Sequence, residues 1–265
     1  MRRLALVLVL ALAAAGCRGD DEGPGGGDDA AAALTEIAQK AEPLTYKATY
    51  RFQLRGPLAE GSETKLEIVQ RPPESLRLFQ TTTADADGKT FTESTWIVSK
   101  LADAQEPTSP LTFYSCWAGD RTTRGQVRCH EAPPTGMFGR RQIDEVFEFV
   151  RRPRESFESV ESLGSQSIAG EEAACFEAVH QAEPPDPAVS PAPFDPRRHK
   201  LQLCYSTDGI LLRMHRSIDE PVPTGLGYVE QVLEATSVSR TVEDGEIELP
   251  GEVRTSSDLK ATPSP

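Results

Sequence analysis

From Thr45 onward, polar and apolar residues alternate along the chain with a period of two. The first run sets Lys47, Thr49, Arg51 and Gln53 between the apolar residues Tyr46, Ala48, Tyr50, Phe52 and Leu54. Successive side chains of a β-strand point to opposite faces, so this pattern predicts a strand with one buried face. Further strand-like runs follow at 64–70, 75–83, 90–100, 111–117, 126–131, 159–168, 173–180, 201–205, 210–217, 227–240 and 246–249.

Turn signals separate these runs, among them Arg71-Pro72-Pro73, Asp87-Gly88 and Thr207-Asp208-Gly209. An Asp-Gly pair between alternating runs is typical of a hairpin, because a type I′ turn needs positive φ at both central residues. Consecutive hairpins predict an antiparallel meander with one covered face and one face in water.

Two short amphipathic helices are predicted beside the strands. In the first, Leu34, Ile37, Ala38 and Ala41 recur at helical spacing, and the helix ends before Pro43. In the second, which ends before Pro153, one face carries Ile143, Val146, Phe147 and Val150. The predicted fold class is therefore α+β, with about ten or eleven antiparallel strands and the helices gathered on one side. The proline-rich stretch 182–198 is predicted to be an exposed loop.

The first residues predict export and a lipid anchor. Arg2 and Arg3 precede an apolar run, Leu4 to Ala15, that is too short to span a bilayer but suits a secretory signal peptide. The stretch from Ala14 to Cys17 resembles the bacterial lipobox, although the position three before the cysteine is usually leucine. The alternative is an ordinary cleaved signal that leaves Cys17 as a free thiol.

Four segments follow from this interpretation. Residues 1–16 form the signal peptide, and 17–30 form the lipidated cysteine and a flexible acidic and glycine-rich tether. Residues 31–250 form one folded domain, and 251–265, with few apolar residues, form a disordered tail. The expected location is the outer face of the cytoplasmic membrane, or the cell envelope, and we expect a monomer.

The chain is acidic, with a net charge of −13 that becomes −15 once Arg2 and Arg3 leave with the signal peptide. This sign disfavours nucleic acid, whose binding depends on neutralising phosphates. It also disfavours electrostatic adsorption to anionic lipid, so the membrane partner must be reached through the acyl anchor.

Five cysteines occur, and acylation of Cys17 leaves four in an exported chain, where disulfides form. Four cysteines allow three connectivities. We favour Cys116–Cys129 and Cys175–Cys204, because each pair lies on successive predicted strands. A zinc site is the competing interpretation, but there is no C-x2-C spacing and only His130 is nearby, so we predict no metal.

No catalytic motif stands out. The chain lacks H-E-x-x-H, G-x-S-x-G and G-x-x-x-x-G-K-[ST] patterns. Its four histidines, His130, His180, His199 and His215, are far apart, and each is expected to be an exposed strand or loop residue. We predict neither an enzyme nor a cofactor.

Three closing stretches resemble the LolA/LprG-like lipoprotein group: SIAGEEAACFEAV (167–179), LCYSTDGILLRM (203–214) and LEATSVSRTVEDGEIELP (233–250). The resemblance implies a strongly curved antiparallel sheet, a half-barrel, with short helices on the concave side over an apolar cavity. Many members of the group bind lipids, acylated lipoproteins or glycolipids, whereas some related domains sense the state of the envelope.

The expected function is non-enzymatic binding or carrying of a lipid or other hydrophobic ligand in the half-barrel, because apolar concave sites bind apolar ligands. The alternative is an envelope sensor or protein-interaction module on the same fold. For any one of the aromatic candidates, filling a core between sheet and helix is a more frequent role than contacting a ligand. The candidate cavity residues are Tyr46, Tyr50, Phe52, Leu54, Trp96, Phe113, Ile143 and Phe147.

Overall fold

The computed structural model describes residues 28–55, 62–121, 123–131, 157–181, 198–218 and 230–253. Helix α1 spans Asp28–Gln39 and buries Ala30, Ala31 and Leu34. It begins inside the predicted tether, because Asp28 and Asp29 favour the positive end of the helix dipole and the alanines that follow favour helix. The second predicted helix, around 143–150, lies outside the described residues.

The described residues contain eleven strands, and their bounds agree with the predicted runs to within a few residues. The strands are β1 (Tyr46–Arg55), β2 (Ser62–Arg71), β3 (Glu74–Ala84), β4 (Thr90–Leu101), β5 (Leu111–Gly119), β6 (Arg128–Glu131), β7 (Ser159–Ile168), β8 (Glu171–Gln181), β9 (Arg198–Ser206), β10 (Leu211–Ile218) and β11 (Glu230–Ser239).

All eleven strands form one antiparallel sheet in the order β6-β5-β4-β3-β2-β1-β11-β10-β9-β8-β7. One meander runs from β1 to β6 and another from β7 to β11, and pairing of β1 with β11 joins them. The edge strands β6 and β7 do not pair with each other, so the sheet stays open as a curved half-barrel. The predicted α+β fold class is confirmed.

The two faces of the sheet bury different clusters. We call the face on which α1 packs the inner face; there Leu34 joins Tyr50, Leu66 and Leu233 in the larger core cluster. On the opposite, outer face a smaller cluster contains Val69, Leu76, Val98 and Ile247. Residues directly opposite each other on neighbouring strands share a face, so the register assigns every strand residue to one of the two.

The C-terminal segment, residues 240–253, lies against the outer face. Glu246, whose Oε1 accepts a hydrogen bond of 2.5 Å from the Lys47 ammonium, lies in a turn of this segment. The strand predicted at 246–249 is therefore wrong: Ile247 packs across the strands β2, β3 and β4 instead of pairing with them. Val253 forms an isolated bridge with Cys129, so the first residues of the predicted tail, 251–253, lie against the sheet.

Arg240 fixes the start of the C-terminal segment to two hairpin turns. Its Nη1 and Nη2 donate to the two carboxylate oxygens of Glu171 at 2.8 Å, and its Nε donates to Asp208 Oδ2 at 2.7 Å. The hydrogen bonds from Arg240 lower the pKa of Asp208. The turn between β7 and β8 and the turn between β9 and β10 are thus held beside the end of β11.

Both disulfides join residues that face each other on adjacent strands. Cys116 on β5 lies opposite Cys129 on β6, and Cys175 on β8 lies opposite Cys204 on β9. Facing residues of an antiparallel pair come close enough for a disulfide. The pairing agrees with the connectivity favoured from the sequence, and all four cysteines are buried.

Two contacts fix how α1 meets the sheet. The Gln70 amide on β2 donates to the carbonyl oxygens of Ala41, Glu42 and Leu44 at 2.9, 2.8 and 3.2 Å, which holds the chain leaving the helix. At Gly209, in the turn between β9 and β10, a Cβ atom would lie 2.3 Å from the Ile37 carbonyl oxygen. The helix can approach this turn only because residue 209 has no side chain.

We expect Gly209→Ala to destabilise the protein more than Gly88→Ala does. Both glycines have positive φ, 89° and 77°, so each substitution carries a backbone cost of about 1–2 kcal/mol. Only Gly209 meets the backbone of α1, and this overpacking adds about 1–3 kcal/mol, whereas a Cβ at Gly88 has no atom within 4 Å. Urea unfolding of both variants measures the difference, and equal losses would contradict the close contact.

Reducing the disulfides is expected to lower the melting temperature. The sequence separations of 13 and 29 residues correspond, on the chain-entropy model, to about 3 and about 3.6 kcal/mol of stabilisation. The Cys175→Ala/Cys204→Ala variant should therefore melt below the Cys116→Ala/Cys129→Ala variant. Calorimetry with and without reducing agent tests this, and an unchanged melting temperature after reduction would rule out a stabilising role.

Candidate functional site

The candidate site lies on the inner face of strands β3–β6, beside the part of the sheet that α1 covers. The helix packs chiefly against β7, and its last turn reaches Gly209 between β9 and β10. The residues after it, from Ala41 to Leu44, extend as far as Gln70 on β2. In the described part of the chain, α1 and its exit therefore cover the β7–β11 half, β1 and the end of β2.

Two rows of side chains cross this surface. In the first row, Phe79, Thr95, Trp117 and Arg128 lie directly opposite one another on β3, β4, β5 and β6. The second row is displaced by two residues along each strand and consists of Arg77, Ile97, Ser115 and His130. Each row ends in a basic or imidazole side chain on the edge strand β6, and the apolar residues among them are Phe79, Ile97 and Trp117 on β3, β4 and β5.

The apolar part of the surface continues from the core. Phe79 is partly buried and packs against the inner cluster that contains Leu66 and Tyr50. Ile97, on the neighbouring strand, is 7% exposed, and Trp117 is half-buried. An apolar strip therefore runs from the covered half of the sheet toward its β6 edge.

Polar atoms lie at the edge end of the strip. The Arg128 Nε and His130 Nδ1 atoms are buried and have no hydrogen-bond partner among the described residues. The His130 ring meets the Trp117 ring edge-on, with centroids 5.2 Å apart and an angle of 74° between the planes. An aromatic surface and two nitrogen atoms thus share one corner of the inner face.

Two buried tyrosines belong to the covered half. The Tyr50 hydroxyl donates a 2.9 Å hydrogen bond to the Leu211 carbonyl oxygen, and burial raises the pKa of Tyr50 well above its usual value. Burial also raises the pKa of Tyr205, whose hydroxyl has no hydrogen-bond partner in the described ranges. Both phenols are therefore neutral at physiological pH and belong to the core.

The structure separates the predicted cavity residues. Tyr46 and Tyr50 are buried in the inner core cluster, and Phe52 packs against it. Phe113 also faces inward, opposite Ser99 on β4. Trp96 instead faces outward, opposite Leu78 and Cys116, and packs against the outer cluster. Three members lie outside what the structure describes: Ile143, Phe147 and the side chain of Leu54.

Sequence reasoning did not assign several residues of the strip to the site: Phe79, Thr95, Ile97, Trp117, Arg77 and Arg128. Their period-two spacing was visible, but the face of each strand depends on its register with the next. His130 was expected to be exposed, whereas its Nδ1 is buried. The neighbouring pair Cys116–Cys129 gave the one available signal, because it fixes Trp117 opposite Arg128.

The predicted lipidation site, Cys17, lies outside the described residues, as do the signal peptide and most of the tether. Within the described ranges, no helix is long and apolar enough to cross a membrane. The same ranges contain no group of three or more histidine, cysteine or acidic side chains placed to hold a metal ion.

No protein-family model matches the chain, and no curated protein matches it significantly. Among solved structures, the chain is similar to LprF from Mycobacterium bovis, with 12% identity and a TM-score of 0.45 over 86% of this chain and 100% of LprF. It is similar to the Mycobacterium tuberculosis lipoprotein LppX, with 13% identity and a TM-score of 0.42 over 82% and 98% of the two chains.

A third similar structure is MucB in complex with MucA(peri), with 13% identity and a TM-score of 0.35 over 88% of this chain and 60% of MucB. At these identities and TM-scores, the likeness says nothing about a shared ligand or partner. The open half-barrel itself agrees with the LolA/LprG-like fold that the sequence resembles.

Proposed function

We propose that this protein is an exported, membrane-anchored lipoprotein that binds a lipid or another hydrophobic ligand on the inner face of its half-barrel, without catalysing a reaction. The observation that carries the proposal is the apolar strip on β3–β5, where Phe79, Ile97 and Trp117 share one face beyond α1. Burying an acyl chain on such a surface removes apolar area from water on both partners.

The openness of the sheet supports this function. A closed barrel of this size would have no free edge, whereas here β6 and β7 remain unpaired with each other. The strip begins at the core and ends at β6, so an extended chain lying along it reaches the rim of the half-barrel.

The covalent chemistry supports an extracytoplasmic location. Two disulfides persist in an oxidising compartment, and the run from Leu4 to Cys17 suits export followed by acylation. Anchoring by acyl chains would keep the half-barrel close to the membrane that holds its ligand.

Replacement of the acylated cysteine tests the anchor. In cells that carry Cys17→Ala, we expect the protein to move from the membrane fraction to the soluble extracytoplasmic fraction, because no acyl chain holds it. Fractionation and immunoblotting measure the shift, with Cys116→Ala/Cys129→Ala as the control that removes cysteines but keeps the anchor. Unchanged membrane association of Cys17→Ala would contradict acyl anchoring.

A charge placed in the strip tests ligand binding. Thr95 lies between Phe79 and Trp117, so Thr95→Lys puts an ammonium among the apolar contacts. We expect co-purified lipid, measured by mass spectrometry of organic extracts from detergent-free protein, to fall at least tenfold. Thr82→Lys makes the same chemical change on the outer face, opposite Thr92, and should leave the lipid content unchanged.

The outcomes separate the two candidate functions. Stoichiometric lipid in the unsubstituted protein, lost only in Thr95→Lys, supports ligand binding on the inner face. Lipid-free protein that also fails to take up added lipid would overturn the proposal and favour a protein-interaction module. Equal loss in Thr95→Lys and Thr82→Lys would place the ligand elsewhere.

A further inference from the structure

The inner face of β3–β6 is basic, whereas the chain as a whole is acidic. The protein carries a net charge of −13, yet the inward positions of these strands hold Arg77, Arg128 and His130. Among the described inward residues of β3–β6, Glu93 is the single carboxylate, and it is exposed. Glu74 lies on the outer face.

Two polar nitrogen atoms at the β6 edge are buried and have no hydrogen-bond partner among the described residues. Arg128 Nε always carries a proton, and neither it nor His130 Nδ1 makes a hydrogen bond within the described part of the chain. Burying a polar group without a hydrogen bond costs free energy, and the cost is larger for a charged group. A ligand with acceptor oxygens would supply the missing partner of Arg128 Nε and offset this cost.

The geometry suits a phosphate. Arg128 and His130 are two residues apart on one face of β6, about 7 Å along the strand, so their side chains can converge on one tetrahedral anion. A guanidinium gives charge-assisted hydrogen bonds to phosphate oxygens. The Trp117 ring lies opposite Arg128 and against the His130 ring, so the anion would sit where the apolar strip ends.

We infer that Arg128 and His130 bind the phosphate headgroup of an anionic lipid whose acyl chain lies along Phe79, Ile97 and Trp117. This inference rests on the proposed function and adds the class of the ligand: a phosphate-bearing amphiphile. The apolar strip supplies affinity for the chain, and the two edge side chains select the headgroup.

The test compares two lipids that differ only in the phosphate. Fluorescent phosphatidic acid and diacylglycerol with identical acyl chains are titrated into the full chain carrying Cys17→Ala, purified without detergent. We expect phosphatidic acid to bind at least tenfold more tightly. In Arg128→Gln/His130→Gln the preference should disappear while the affinity for diacylglycerol stays the same.

The matched control removes two cations from the outer face. Lys65 and Arg71 pair with Glu67 and Asp244 there, and Lys65→Gln/Arg71→Gln should keep the full preference for phosphatidic acid. Because Arg128 Nε and His130 Nδ1 lack partners among the described residues, Arg128→Gln/His130→Gln should also keep its melting temperature. This separates loss of selectivity from loss of folding.

Each result has a distinct meaning. If the protein that keeps Arg128 and His130 binds the two lipids tightly but equally, the headgroup site is overturned and the proposed function stands. Binding of neither lipid would overturn the proposed function itself. Displacement of the fluorescent lipid by inorganic phosphate at a comparable concentration would show a site for a free anion. That result would overturn the assignment of an amphiphilic ligand.

Discussion

The pairing of β1 with β11 makes one sheet out of two meanders. From Lys47 to Arg55 the first strand follows the last, with one shift of register between Thr49 and Tyr50. This ladder brings Phe52 opposite Leu233 and sets Tyr50 beside Ala235, in the middle of the inner core. Because strand partners share a face, the assignment of every other residue to the inner or outer face follows outward from this pair.

The two faces are then finished by different parts of the chain. On the inner face, α1 packs over the later meander and stops at Gly209. On the outer face, Ile247 of the C-terminal segment packs over β2–β4, and a hydrogen bond from Lys47 to Glu246 holds the segment in place. One half of the inner face keeps an apolar strip that neither α1 nor the C-terminal segment covers, and the proposed ligand site lies there.

The sequence predicted local structure well and the site only in part. The alternation of polar and apolar residues, as from Tyr46 to Leu54, located the strands. Such alternation can be read from residues that are close together in the sequence. The disulfide partners also followed from strand succession. Trp96 and Trp117 could not be told apart in this way: neither is flanked by polar residues on both sides, and only the pairing across β4 and β5 puts them on opposite faces.

Sequence alternation likewise could not show that residues 246–249 do not form a strand. Glu246 to Leu249 alternates as a strand does, yet the residues cross the sheet instead of joining it, because the Lys47 ammonium and the Val69–Leu76–Val98 cluster hold them on its surface. A sequence pattern reports that one side of a segment is apolar. It does not show whether the backbone amides of that segment form hydrogen bonds with a neighbouring strand.

Each disulfide lies within one meander, the first across β5 and β6 and the second across β8 and β9. The pairing of β1 with β11 therefore carries no disulfide, whereas each of the two meanders contains one. The C-terminal segment links the two meanders in place of a disulfide: Arg240 binds turns of the later meander, whereas Glu246 and Val253 contact β1 and β6 of the earlier one.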